Sequence, residues 1–282
     1  MLVKLVVRAP RKLTEVVSAL LFEAGAGAIE ELDNGRRLVV YAESREGAEA
    51  IAARMRGLLG AAAPGPNGVS LSVAVDESSD WASAWTQHLG QVALTPRLVI
   101  QPHWDETPTP AGAQRILFDP KLSFGDGAHA TTRLASLALE RVCRERAGLH
   151  VLDYGSGTGV LSFVALLSGA ASASGIDLDP VSVEAAQRNA ALNGLQERAE
   201  FGLPDAFGER TFDIVVANLE APTLLSCARE LSRRASTAER LILTGFLAAR
   251  EIEIAAAFEP AWTVGAREYE ADWALLELAP QR

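Results

Sequence analysis

The chain contains few of the residues that build metal centres, disulfides or redox motifs. Only two of its 282 residues are cysteines, Cys143 and Cys227, and they lie far apart. No C-x-x-C pair is therefore available for a zinc ribbon or a thioredoxin-like motif, and a disulfide framework is excluded as well. The four histidines are scattered and form no H-E-x-x-H pattern, so we expect no metal site.

Basic residues and lipid-compatible segments are also scarce. Lys and Arg number 26 against 36 Asp and Glu, which gives a formal net charge of −10. Such a chain lacks the basic footprint that phosphates demand, so we expect no direct nucleic-acid specificity. One long uncharged run, residues 154–176, is interrupted by glycines and serines and is unlike a membrane span. The N-terminus does not resemble a signal peptide, and we expect a cytoplasmic protein.

What the sequence does contain is the composition of a globular protein, with 49% apolar and 22% charged residues. Residues 1–75 show strand and helix patterns in the order β-α-β-β-α-β, with a turn at Asp33-Asn-Gly35. This order predicts a small ferredoxin-like α+β domain. Prolines punctuate the connection that follows, and we expect a linker over 76–106 with a short helix at Asp80–Leu89.

The rest of the chain, residues 107–282, is predicted to form one α/β domain. Strand patterns alternate with helical segments from residue 115 onward, and they lie at 115–118, 150–153, 173–177, 212–218, 241–244 and 273–278. Such alternation predicts a parallel or mixed sheet with helices on both faces, as in Rossmann-like folds.

The strongest chemical motif is the segment Asp153-Tyr-Gly-Ser-Gly-Thr-Gly159, between a predicted strand and a predicted helix. Glycines permit positive φ and close approach of a ligand. The dinucleotide fingerprint G-x-G-x-x-G is not matched, because its third glycine would fall on Val160 or Ser162. The segment therefore favours a nucleoside ligand without a pyrophosphate, whose carboxylate the helix N-terminus can receive.

Two aspartates, Asp177 and Asp179, follow the next predicted strand. A carboxylate about 20 residues beyond the glycine turn is placed to accept hydrogen bonds from ribose hydroxyls. Asp179 precedes Pro180 and is the natural N-cap of a helix, which leaves Asp177 for the ribose. In the alternative interpretation, both aspartates only cap and turn the chain.

Two further segments contain candidate site residues. Asn218 ends an apolar strand, where its amide could hold a nitrogen nucleophile or part of a cofactor; a turn-forming asparagine is the alternative. The segment 122–133 is a glycine loop followed by a helix that Thr131 or Thr132 can cap. A lone His129 is more often structural than catalytic, and no Ser–His–carboxylate set supports nucleophilic catalysis.

Together these motifs resemble the S-adenosylmethionine-dependent methyltransferases and, more narrowly, the ribosomal protein L11 methyltransferase (PrmA) family. The resemblance covers about residues 80–280. Besides the glycine turn, it is carried by Phe124-Gly-Asp-Gly-Ala-His-Ala-Thr-Thr132, Ala217-Asn218-Leu219, Asp80-Trp81-Ala-Ser-Ala-Trp85, Leu243-Thr244-Gly245 and Asp272-Trp273-Ala-Leu-Leu276. It implies a seven-stranded methyltransferase domain behind a ferredoxin-like domain that recognises the substrate protein.

The resemblance also implies the cofactor and the reaction. S-adenosylmethionine would be bound by Thr132, Gly155, Gly157, Asp177 and Asn218, and Asn218 would be the catalytic residue that orients the acceptor amine. The implied reaction is N-methylation of lysine side chains and the N-terminal amine of ribosomal protein L11, at the base of the large-subunit stalk. No general base is obvious: Glu220 and Asp126 are candidates, and water alone is the alternative. Asp126 stands where the family usually has threonine, so a lysine of another protein is an alternative target.

Three other functions stay open at this point. An NAD-type oxidoreductase could use the same strand–turn–helix, although the third glycine is absent. A catalytically silent protein that docks on ribosomes could keep the fold, although the set Gly155, Asp177 and Asn218 is intact. A nucleic-acid methyltransferase is disfavoured by the net charge and by the lack of an N-P-P-Y-type aromatic residue after Asn218.

Overall fold

The computed structural model describes residues 3–26, 29–33, 36–42, 44–62, 69–75, 90–119 and 129–281. Three sequence predictions lie outside these residues: the centre of the turn at 34–35, the linker helix at 80–89 and the loop at 122–128. Contacts between Cα atoms divide the chain into two compact units, residues 1–84 and 85–282. None of the helices in the described ranges has the length and hydropathy that a membrane span requires.

The first unit is an antiparallel four-stranded sheet with two helices. The sheet order is β2-β3-β1-β4. Its elements are β1 (Val3–Arg8), α1 (Thr14–Glu23), β2 (Glu30–Leu32), β3 (Arg37–Ala42), α2 (Arg45–Ala62) and β4 (Ser70–Val75). Leu5 and Val7 of β1 are fully buried and pack in one core with Leu21 of α1 and Met55 of α2. The element order agrees with the predicted ferredoxin-like unit.

The second unit is built on a seven-stranded mixed sheet with the order β10-β9-β8-β11-β12-β14-β13. Its strands are β8 (His150–Tyr154), β9 (Ser172–Ile176), β10 (Ala199–Gly202), β11 (Ile214–Asn218), β12 (Arg240–Leu247), β13 (Trp262–Glu270) and β14 (Trp273–Pro280). Of these, β14 runs antiparallel to both of its neighbours. The predicted Rossmann-like, seven-stranded fold is confirmed, although β10 and β13 were not predicted.

Helices cover both faces of this sheet. One core contains residues of α3 (Ala130–Glu145), α4 (Val160–Leu167) and α5 (Pro180–Leu192), and the other contains residues of α6 (Ala221–Arg234) and α7 (Glu251–Ala256). In β11, Ile214 and Val216 belong to the first core, whereas Val215 and Ala217 belong to the second. Burial on both faces explains why this strand is apolar at every position and not only at alternate ones.

A separate three-stranded sheet lies before the large one in the chain. Its strands are β5 (Val92–Thr95), β6 (Leu98–Pro102) and β7 (Gln114–Phe118). The predicted linker over 76–106 therefore overlaps two strands, and the strand predicted at 115–118 belongs to this small sheet and not to the large one. Ile100 and Ile116 are fully buried in the core that contains α3 and α4, so apolar packing holds a segment whose prolines indicated a connection.

Candidate functional site

The candidate site lies at the carboxyl edge of the large sheet, where β8 and β11 are neighbours. The chain order reverses at this point, because β9 and β10 lie on one side of β8 while β11 and β12 lie on the other. Ligands of open α/β sheets bind outside the carboxyl ends of the strands at such a switch point. The glycine turn follows β8, Asp177 follows β9 and Asn218 ends β11. The fold thus brings three of the predicted segments to one edge.

The glycine turn is held against the end of β9 by backbone hydrogen bonds. The N–H groups of Gly155 and Ser156 both donate to the carbonyl of Ile176, at 2.7 and 3.0 Å. Gly155, Gly157 and Gly159 have positive φ angles of 80°, 51° and 83°, a region that residues with a Cβ enter only with strain. Gly159 then N-caps α4, so the turn ends at a helix N-terminus.

The glycines are also needed by the protein's own packing. A Cβ on Gly155 would lie 2.5 Å from Cδ2 of Leu219, and a Cβ on Gly159 would lie 2.8 Å from the ring of Phe201. Sequence reasoning assigned these glycines to a turn with positive φ and to the approach of a ligand, and not to internal packing. The structure shows that the missing Cβ atoms also let the turn pack directly against Leu219, which follows β11, and Phe201, which lies in β10.

Asp177 is joined to the glycine turn by a hydrogen bond. Its Oδ2 accepts from the N–H of Gly157 at 2.8 Å, and its Oδ1 accepts from the N–H of Asp179 at 3.0 Å. Asp179 caps α5 through the N–H of Val181, with Pro180 at the first helical position, as predicted. An ionised carboxylate has about four lone-pair sites, so Asp177 keeps acceptor capacity for the two hydroxyls of a ribose.

Two exposed apolar side chains flank this carboxylate, and sequence reasoning missed both. Leu178 is 80% exposed directly after β9, and Leu203 is 45% exposed directly after β10. Asp205 lies beside Leu203 in the turn Pro204–Phe207. Exposed leucines next to a carboxylate could be covered by a flat base such as adenine, whose exocyclic amine could donate a hydrogen bond to Asp205. The short strand Ala199–Gly202 was the signal that could have revealed this part of the site.

Asn218 lies at the other side of the crevice, at the end of β11. It is paired in register with Thr244 of β12, whose carbonyl accepts from the N–H of Leu219 at 3.0 Å. Within the described part of the chain, no hydrogen bond to the Asn218 side chain is found. Its backbone is therefore fixed while its amide remains available to a ligand.

The start of α3 reaches the same edge, but its cap differs from the prediction. His129, and neither Thr131 nor Thr132, is the N-cap: its ring accepts from the N–H of Thr131 and lies 2.8 Å from that residue's hydroxyl. The His129 ring packs edge-on against Trp273, which opens β14 opposite Leu247 at the end of β12. Thr131 and Thr132 are buried in the first turn of α3. The start of this helix is therefore set by His129, which packs against Trp273, and not by a threonine cap.

Beneath the glycine turn lies a buried carboxyl group, Asp153. It is 1% exposed and accepts hydrogen bonds from the N–H and hydroxyl of Ser162 at 3.1 and 2.9 Å. Burial, with a smaller contribution from the charge of Asp177, raises the pKa of Asp153 to about 7.

Across the described ranges, no group of three or more metal-ligating side chains is found.

These residues fit S-adenosylmethionine. The carboxylate of Asp177 matches a ribose diol, and the exposed leucines match an adenine. The turn does not provide the third glycine that closes a pyrophosphate site in the dinucleotide fingerprint.

Comparison with known proteins identifies the family. The family model for ribosomal protein L11 methyltransferase (PrmA) matches residues 3–280. The chain belongs to this family. The ribosomal protein L11 methyltransferase of Myxococcus xanthus is 33% identical over 289 residues, which cover 97% of each chain. That of Sorangium cellulosum is 36% identical over 263 residues, which cover 88% of this chain and 80% of the relative.

A solved structure agrees with this assignment. The ribosomal protein L11 methylase of Lactobacillus delbrueckii subsp. bulgaricus matches with a TM-score of 0.61 and 29% identity, over 68% of this chain and 100% of that one. The PrmA-family protein is thus an enzyme, an S-adenosylmethionine-dependent protein methyltransferase. The resemblance, the reaction class and the cofactor inferred from the motifs are confirmed.

Proposed function

We propose that the enzyme transfers methyl groups from S-adenosylmethionine to lysine side chains and the N-terminal amine of ribosomal protein L11 in the cytoplasm. The observation that carries this proposal is the length of the family match. It includes the ferredoxin-like unit as well as the methyltransferase unit, whereas a shared catalytic fold alone would account only for the second unit. The first domain, residues 1–75, is proposed to recognise the substrate protein and residues 107–282 to carry out methyl transfer.

The cofactor is proposed to lie across the switch point. Asp177 would accept from its ribose hydroxyls, Gly155 and Gly157 would line its amino-acid portion, and Thr132 in the first turn of α3 would bind it from the opposite side. Asn218 would contact both the cofactor and the acceptor amine. This arrangement is supported by the Gly157–Asp177 hydrogen bond, which joins the two central elements of the set.

The protein's contribution to the chemistry is positioning and proton removal. Bound S-adenosylmethionine supplies a methyl group that its sulfonium already activates. A free lysine amine has a pKa of about 10.4 and must lose a proton before it can attack. The side-chain oxygen of Asn218 would accept a hydrogen bond from the neutral amine and so aim the nitrogen lone pair in line with the methyl group.

A proton acceptor is available two residues further on. Glu220 is exposed and N-caps α6 without using its side chain for the cap, so its carboxylate is free to receive a proton directly or through water. The other candidate base, Asp126, lies outside the described residues.

Methyl transfer to purified ribosomal protein L11, followed by mass spectrometry, tests this function. The wild-type enzyme is expected to add methyl groups to L11 and not to other proteins of a ribosomal mixture. Asn218→Ala is expected to lower kcat by about 100-fold, because the amine is no longer aligned, while Arg188→Ala on the exposed face of α5 leaves kcat unchanged. Full turnover by Asn218→Ala would refute its catalytic role, and labelling of another protein in place of L11 would refute the substrate.

A further inference from the structure

A buried amide in the last turn of α5 connects the glycine turn to the chain directly after β7. Asn189 is 1% exposed. Its Nδ2 donates to the carbonyl of Thr158 at 3.0 Å, and its Oδ1 accepts from the N–H of Asp119 at 3.0 Å. Both partners are backbone groups with fixed donor and acceptor roles, so these bonds dictate the orientation of the amide.

The first partner, Thr158, lies inside the glycine turn. The residue is 1% exposed and stands between Gly157, whose N–H binds Asp177, and Gly159, which caps α4. Asp177 therefore holds one side of this turn through an N–H, and Asn189 holds the other side through a carbonyl. Without Asn189, the Thr158 carbonyl loses this hydrogen bond in a buried environment, which weakens the attachment of the turn to α5.

The second partner, Asp119, precedes the segment 122–133 in the chain. It directly follows β7 and leads into residues 120–128, after which His129 and Thr132 begin α3. The side chain of Asn189 is thus hydrogen-bonded to Thr158 in the glycine turn, 31 residues earlier in the chain, and to Asp119 directly after β7, 70 residues earlier. The amide provides the donor and the acceptor that these two backbone partners need.

We propose that Asn189 is a positioning residue for the cofactor, which sets the glycine turn and the entrance to the segment before α3 in one relative arrangement. This role rests on the proposed placement of the cofactor across the switch point. Asn189 touches neither reacting atom, so its loss acts on cofactor affinity and leaves the chemical step largely intact.

The same helix offers a matched control. Asn193 lies one turn further along α5, where its Oδ1 accepts from the N–H of Leu117 at 2.8 Å and its Nδ2 donates to the Leu117 carbonyl at 2.7 Å. It therefore fastens β7 to α5 by the same chemistry, and it makes no hydrogen bond to the glycine turn among the described residues.

The experiment compares Asn189→Leu, Asn189→Asp and Asn193→Leu in the full-length enzyme, with KM for S-adenosylmethionine, kcat, Kd for S-adenosylhomocysteine and Tm as readouts. Asn189→Leu is expected to raise KM and Kd by more than 10-fold with kcat within 3-fold of wild type. Asn193→Leu is expected to lower Tm by about as much as Asn189→Leu does, while its KM and Kd stay within 3-fold of wild type. Asn189→Asp keeps the acceptor for Asp119 but opposes the Thr158 carbonyl with an oxygen, so it should also lose affinity, and it serves in place of Asn189→Leu if that variant does not fold.

The outcomes separate the two proposals. If wild-type enzyme fails to bind S-adenosylhomocysteine, or if Asp177→Ala binds it as tightly as wild type does, the proposed cofactor site is wrong. If wild type binds and Asp177→Ala does not, but both Asn189 variants lose Tm with unchanged KM and Kd, Asn189 is merely structural. Equal losses of affinity in the Asn189 and Asn193 variants would also overturn the positioning role.

Discussion

Gly245 controls the backbone that presents Asn218, and replacing it by alanine is the most informative single perturbation. It lies in β12 with a φ of 97°, at an irregularity in the register with β14 between Leu243 and Phe246. A Cβ at this position would lie 2.3 Å from the carbonyl oxygen of Leu219 and 2.6 Å from its carbonyl carbon and nitrogen. These are backbone atoms, so no side-chain rotation can relieve the overlap.

The magnitude of the effect follows from this geometry. Contacts of a Cβ below 3.0 Å are essentially never seen, so the Leu219 peptide must move by about 0.7 Å or more. Positive φ costs alanine about 1–2 kcal/mol, and displacing packed atoms costs about 1–3 kcal/mol more. We expect Gly245→Ala to lower Tm by about 10 °C. Asn218 precedes Leu219, and a misplacement near 1 Å can cost about 100-fold in rate, so kcat should fall about 10–100-fold.

The assay combines thermal unfolding with methyl-transfer kinetics, and Gly265→Ala is the matched control. Gly265 lies in β13 at another register irregularity with β14, between Val264 and Ala266, but a Cβ there meets its nearest atom, the carbonyl oxygen of Glu277, at an ordinary 3.5 Å. Gly265→Ala should keep wild-type kcat. A Gly245→Ala enzyme with normal Tm and kcat, or equal damage in both variants, would refute the reasoning.

Three further predictions concern charge. Asp177→Ala should raise the calorimetric Kd for S-adenosylhomocysteine at least 10-fold. Asp179→Ala removes the cap of α5, so it should cost about 1 kcal/mol in thermal unfolding and leave Kd near wild type. The reverse pattern would assign the ribose to Asp179. The folded-state pKa of Asp153, about 7, exceeds its ordinary value of 3.8, so its stabilising contribution is complete below about pH 4 and is lost as pH rises through 7. Asp153→Asn should therefore reduce the fall in Tm between pH 5 and 8, and an unchanged profile would contradict the shift. Arg141→Met removes the ion-pair partner of the buried Glu277 carboxylate and should lower the free energy of unfolding by about 2 kcal/mol in denaturant. Arg188→Met breaks an exposed pair with Glu184 and should cost almost nothing. Similar losses in both variants would show that burial of Glu277 is unimportant.

Local patterns in the sequence sufficed to place three candidate segments at one edge of the sheet. The glycine turn follows β8, Asp177 follows β9 and Asn218 ends β11, and parallel strands place their carboxyl ends at one edge. Asp179 was assigned correctly as a cap because Pro180 fixes the first helical position. Each of these inferences needs only residues that are close together in the chain.

The features that were missed depend on contacts between distant residues. β13 is an edge strand whose residues after Trp262 are all partly or fully exposed, and Arg267 and Glu268 break any apolar run. β10 has only four residues. The cap at His129 depends on Trp273, 144 positions away in the sequence. The links from Asn189 to Thr158 and Asp119 are likewise visible only once α5 is placed against the turn.

Titration of the purified enzyme with S-adenosylhomocysteine by calorimetry, beside a parallel titration with NAD, tests the central claim most directly. We predict micromolar binding of one S-adenosylhomocysteine per chain and no binding of NAD, because the turn lacks the third glycine and Asp177 faces a single nucleoside. Binding of NAD, or no heat with S-adenosylhomocysteine, would contradict it.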